Sequence, residues 1–108
     1  MIYLASPYSD LDPIVRRLRF EKTRRFTYIA IEQGAIIFSP IVYCHQFSVE
    51  FDAPTAAADW RDFNEWMMSR SEACWVLTLP GWEKSLGVQA EIDYFRAAGK
   101  SLEYKAPL

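Results

Sequence analysis

Histidine occurs once in this chain, cysteine twice and glycine four times among 108 residues, and each scarcity removes a class of function. One His and two Cys are too few for a tetrahedral Cys/His zinc site, so no metal is expected. The same two thiols, Cys44 and Cys74, cannot build a disulfide framework and read as reduced, buried side chains. No apolar run approaches membrane-spanning length, and Met1 leads directly into a short apolar strand rather than a secretory leader. The chain therefore reads as cytoplasmic, with no membrane partner. A net charge of −2 supplies no global field for a nucleic-acid polymer or an anionic membrane. No internal repeat and no second domain are found.

What is present points to a packed domain. Hydrophobic residues make up 51% and aromatics 16%, a composition that can bury a core and does not stay disordered. The length suits one domain covering residues 1–108. The excess of rings fits aromatic-lined pockets or contacts with another subunit, and with the ring-rich segment 43–51 it leads to the expectation of a homodimer or higher homo-oligomer.

Met1 to Ala5 is a short apolar run followed by turn chemistry at Ser6-Pro7-Tyr8-Ser9-Asp10. Asp12 before Pro13 has the form of an N-cap with proline at the first helical position. The helix is expected to run to about Gln33, with Gly34 as its left-handed stop and Val15, Leu18, Phe26, Ile29 and Ala30 near one face. Ala35 to Ser39 reads as a buried strand closed by Pro40. Residues 40 to about 56, with Tyr43, His45, Phe47 and Phe51, show no clean period and are expected to be irregular. A helix from about Ala57 to Glu72, a strand from Cys74 to Leu79, a loop at Pro80–Lys84, a helix from Ser85 to Ala98 and a last strand at Ser101–Lys105 complete the order. Strand–helix alternation of this kind predicts a flavodoxin-like α/β domain with a parallel sheet of four to five strands.

The segment Leu79-Pro80-Gly81-Trp82-Glu83-Lys84-Ser85-Leu86-Gly87-Val88-Gln89-Ala90-Glu91 links the third strand to its helix. In open α/β sheets, loops at the carboxyl ends of strands bind small ligands. Ser85 is placed to cap the helix, and Gly87 leaves its first turn open to a ligand approaching the backbone. Val88, Ile92 and Phe95 mark the packed face, and Glu91 falls roughly 65° from its centre at about 100° per residue. A carboxylate on that border is partly desolvated yet able to reach a cleft, the setting a catalytic Glu needs; the plain alternative is a surface Glu on the helix flank.

This segment resembles the signature of the nucleoside 2-deoxyribosyltransferase superfamily, which includes the deoxynucleoside 5′-monophosphate N-glycosidases. Ser85, Leu86, Gly87 and Glu91 match its Ser-Leu-Gly-x-x-x-Glu pattern, and Ile2-Tyr3-Leu4-Ala5-Ser6-Pro7-Tyr8 is similar to its opening strand and turn. The likeness is nearest to a branch of short phage and bacterial proteins and follows element order along nearly the whole chain. It implies cleavage or transfer of the N-glycosidic bond of a deoxynucleoside or its monophosphate, with no cofactor. Glu91 would be the nucleophile at C1′, Tyr3 would hold it ionised, and Ser85 would bind the 5′ end of the substrate. Ser6, Pro7, Tyr8, Gly81, Trp82 and Gly87 would border the ligand. Where the superfamily usually carries an Asp eight residues before the acidic residue that starts the third strand, this chain has Asn64, with Asp62 two positions away. Either could orient the sugar or assist the base. The monophosphate hydrolases carry an Arg soon after the first strand, where this chain has Ser9 and Asp10. Cleavage of another N-riboside such as NAD, and a nucleotide-sensing module without turnover, are the competing expectations.

Three further features have two readings each. His45 could protonate a departing base or be an ordinary packed or exposed loop residue. Trp82 could stack on a nucleobase or cap the sheet edge. Arg16, Arg17, Arg19, Lys22, Arg24 and Arg25, half of the twelve basic residues, could bind phosphate or nucleic acid, but they spread over more than one helix face and read better as a solvated surface.

Overall fold

A computed structural model of the chain describes residues 1–53 and 60–108. Among these, four strands form one parallel sheet, with β1 at Ile2–Ala5, β2 at Ile37–Phe38, β3 at Ala73–Leu77 and β4 at Ser101–Lys105. Their spatial order is β2-β1-β3-β4. The chain leaves β1 toward β2 on one side and returns to β3 on the other, so the topological switch point lies between β1 and β3. This is the flavodoxin-like arrangement that the alternation of elements predicts. Tyr3 pairs with Cys74 across that junction, and the ladder ends at Ala5 opposite Val76.

Strand alternation sorts the core into two layers. Tyr3, Ala5, Cys74 and Val76 point to one face, where they pack with Met68, Val88, Ile92 and Phe95 from two helices. Those helices are α3 (Arg61–Ser69) and α4 (Leu86–Ala97). Leu4, Leu77 and Leu79 point to the other face and meet Phe26 of α1 (Pro13–Glu32). Each fully buried aliphatic or Phe side chain contributes about 1.5–3 kcal/mol to this assembly.

Helix α1 begins as its sequence indicates, with the Asp12 carboxylate accepting from the Ile14 amide at 2.9 Å, and Gly34 following at φ 95°. Its inner stripe differs from the expected one. Leu18 is about half exposed, while Thr23, Thr27 and Ala30 are buried. Burying two hydroxyls is possible because each donates back one turn, Thr23 to the Arg19 carbonyl at 2.8 Å and Thr27 to the Thr23 carbonyl at 2.7 Å.

The largest departure is residues 40–51. Expected to be irregular, they form a helix, α2 (Pro40–Phe51). Ser39 caps it, its oxygen accepting from the Val42 amide at 3.2 Å, and Pro40 occupies the first turn rather than closing a strand. Tyr43, Phe47 and Phe51 then lie one turn apart along one side. Helix α3 is shorter than the expected 57–72; positions 57–59 lie outside the described residues, and the helix ends at Ser69 so that Glu72 can accept from the Met1 ammonium at 2.7 Å. Among the described residues no helix is long and apolar enough to cross a membrane.

Candidate active site

Glu91 sits in the second turn of α4, on the side that faces the sheet, and is only 9% exposed. The helix begins where the sequence places it, with Ser85 accepting from the Val88 amide at 3.2 Å. Burial pushes the Glu91 carboxyl up to about 8, well above its usual 4.5, and the neighbouring Tyr3 hydroxyl works the other way by favouring the carboxylate. Asp93, two positions on, is exposed.

Tyr3 is wholly buried in the middle of the sheet, its ring between Phe38 at 6.1 Å and Phe95 at 5.7 Å. Burial first, and then the Glu91 charge, hold its phenolic proton far more tightly than usual. The hydroxyl faces the Glu91 carboxyl without closing a hydrogen bond of regular length and angle, and has no other hydrogen-bond partner among the described residues. The thiols of Cys44 and Cys74 flank it, and burial raises them to about 11 and about 12. Both are protonated at neutral pH, so neither is an activated nucleophile.

Asn64 lies on the side of α3 that also carries Met67 and Met68, which pack on the Tyr3 layer. Its Oδ1 is buried and lacks a hydrogen-bond partner among the described residues. Asp62, about 200° away around the helix, is exposed. Of the two positions, the structure turns Asn64 inward and leaves Asp62 outside. An unpaired buried acceptor costs about 1–3 kcal/mol and is an opening for a ligand donor.

The turn after β1 leaves the carboxyl end of that strand, beside the switch point. Ser6, Pro7 and Tyr8 are all buried. Ser6 Oγ lies 3.4 Å from Thr23 Oγ1, and the Tyr8 hydroxyl lies 2.7 Å from His45 Nδ1. His45, on α2, stacks on Phe20 with 4.0 Å between ring centres. Burial and the charges of Arg17, Arg16 and Arg24 lower its proton affinity, so it is neutral at pH 7. Burial raises the Tyr8 phenol, which stays protonated. His45 is thus buried between the Tyr8 and Phe20 rings. After β3, Gly81 adopts φ 93° and Trp82 packs against Tyr104 of β4 at 5.4 Å, at the sheet edge. Gly87 is half-buried in the first turn of α4.

Sequence reasoning misses Arg19, assigning it to a solvated surface with its basic neighbours. Its guanidinium is half-buried and donates to the carbonyls of Ser9 at 3.0 Å, Tyr8 at 3.4 Å and Pro80 at 3.4 Å. Its neighbours Arg17, Lys22, Arg24 and Arg25 are exposed, as expected. The polar stripe Arg19, Thr23, Thr27 at four-residue spacing is the signal that could have separated it from them.

Fold and site together define a parallel α/β domain of flavodoxin-like topology in which two buried polar atoms, the Tyr3 hydroxyl on β1 beside the switch point and Asn64 Oδ1 on α3, lack hydrogen-bond partners among the described residues. The chain belongs to the family described as a domain of unknown function, DUF1937, which matches residues 1–105. No curated protein matches the chain.

Proposed function

We propose that the protein cleaves or transfers the N-glycosidic bond of a deoxynucleoside or its 5′-monophosphate, with Glu91 as the nucleophile. The observation that carries this reading is the buried Glu91 carboxyl facing the unpaired Tyr3 hydroxyl beside the β1–β3 junction. The likeness of Ser85-Leu86-Gly87-x-x-x-Glu91 to the deoxyribosyltransferase signature supports it.

In the reacting form Glu91 has lost its proton. Tyr3 stabilises that form, since its hydroxyl favours the carboxylate. One carboxylate oxygen attacks C1′, the C1′–N bond breaks, and its electron pair leaves with the base, which takes a proton from water. Water then attacks C1′, Glu91 departs as carboxylate, and the proton released balances the one taken up; a second base in place of water completes a transferase. Asn64 Oδ1 accepts from a sugar hydroxyl. Ser85 and the open first turn of α4 receive the 5′ end, and Ser6, Pro7 and Tyr8 line the sugar side.

The amide at position 64, in place of the superfamily's carboxylate, favours a second reading: a nucleotide-sensing module that keeps the pocket without turnover. Incubation with deoxynucleosides, their monophosphates, ribonucleotides and NAD separates the readings, free base being followed by chromatography. Base release from a deoxynucleoside or its monophosphate is the expected result. Release from NAD alone would move the substrate class. Ligand-dependent thermal stabilisation with no release, even when a second base is offered, would establish the sensing module.

A further inference from the structure

We propose that Arg19 is a positioning residue that fastens the β1–α1 loop to the β3–α4 loop and so sets the separation of the two walls of the site; its catalytic consequence rests on the glycosidase reading. The ladder between β1 and β3 ends at Ala5 opposite Val76, and β3 continues only against β4, to Leu77 opposite Lys105, so no strand pairing joins the β1 and β3 chains to each other beyond Ala5 and Val76. Those chains carry the proposed ligand contacts, Ser6 to Tyr8 on one side and Trp82 to Ser85 on the other. Arg19 reaches both. One guanidinium nitrogen donates to Ser9 and Tyr8 carbonyls, and the other donates to the Pro80 carbonyl, 61 residues further along the chain. No carboxylate pairs with Arg19 among the described residues. Its charge is instead given to loop carbonyls, and such charge-assisted bonds are stronger than neutral ones.

Two features make this a specific fit. The planar fork of arginine can meet carbonyls from two segments at once, whereas the ammonium of lysine is a single point that cannot span them. Gly81 is also matched to it: a Cβ there would lie 2.7 Å from Arg19 Nη2, at a φ of +93° that other residues rarely adopt. The glycine thus leaves the space that the guanidinium occupies, and a side chain there would push it aside. Removal of the guanidinium should loosen the walls without unfolding the domain. Helix α1 keeps its Asp12 cap, and Tyr8 keeps its hydrogen bond to His45 on α2.

The test compares the full-length wild type with Arg19→Met and Arg19→Lys by amide hydrogen exchange and by base-release kinetics. In both variants, amides in the two loops should exchange roughly tenfold faster or more, while β1 and β3 amides stay within about twofold. For base release, KM should rise roughly tenfold with kcat within about threefold, because the walls hold ground state and transition state alike. Faster exchange in only one loop, equal acceleration through the sheet, or full rescue by lysine would overturn the clamp. Absence of base release in the wild type would sink the glycosidase reading alone, and the exchange pattern would still decide the clamp.

Discussion

Replacing Glu91 with Gln is expected to lower kcat for base release by roughly 10⁴-fold or more while leaving KM within a few-fold. The amide has nearly the shape of the acid and keeps a carbonyl toward Tyr3, so substrate should still bind. It cannot donate a carboxylate oxygen to C1′, so the covalent route closes. The wild-type pH profile should carry the same signature. With the carboxyl pushed up to about 8 by burial, most of the ligand-free protein at neutral pH holds Glu91 protonated. The kcat/KM, which reports the free enzyme, should rise about tenfold per pH unit and level off only above about pH 8. Initial rates across the neutral and alkaline range decide this. A profile already flat from about pH 5 upward would mean that the active carboxylate is an ordinary exposed one.

The same substitution should stabilise the folded protein in alkali. An unfolded chain releases the Glu91 proton near the usual 4.5, the folded one near 8. Between those values the folded state binds more protons, so stability falls as pH rises through this window. Burial of the neutral carboxyl is fully tolerated below about 4.5, and the penalty for a buried carboxylate is complete above about 8. Such a shift corresponds to a cost on the order of 5 kcal/mol. Glu91→Gln carries no charge at any pH. Its melting temperature should match the wild type near pH 4.5 and exceed it by roughly 20 °C or more above pH 8.5. Calorimetry or circular-dichroism melts at the two pH values check this. A variant no more stable than the wild type in alkali would show that the folded protein accommodates the Glu91 charge without strain.

On the proposed reading, stability and activity are opposed at one residue: the burial that makes the Glu91 carboxylate costly also strips it of water, which would make it a stronger nucleophile. The Tyr3 hydroxyl and the Asn64 carbonyl, without hydrogen-bond partners among the described residues, fit the same pattern.

Much of the fold was legible because it depends on local signals. Asp12-Pro13 and Gly34 bound α1, Ser85 starts α4, and the alternating apolar strands imply the parallel sheet. Helix α2 carries the same start signal at Ser39-Pro40, but proline after an apolar strand also reads as a strand stop. The four-residue spacing of Tyr43, Phe47 and Phe51 was the evidence that favoured a helix. Glu91 could be placed on the border of its helix by angle alone. Its full burial depends on Tyr3 of β1 and on the layer from α3 and α4, which no local pattern contains. Asn64 and Asp62 could be separated only once the rotation of α3 was known. Arg19 was the least legible, because its contacts join α1 to a loop far along the chain, and a run of basic residues looks alike from every side until that loop is in place.

The most direct measurement is the intact mass of the protein during turnover of a 2-fluoro-substituted arabinosyl nucleoside, whose electron-poor sugar slows hydrolysis of a glycosyl-enzyme. A mass gain of one fluorinated sugar with loss of the base is expected, mapped by peptide fragmentation to Glu91 and absent from Glu91→Gln. Base release without any adduct on Glu91, or an adduct on another residue, would contradict Glu91 as the nucleophile.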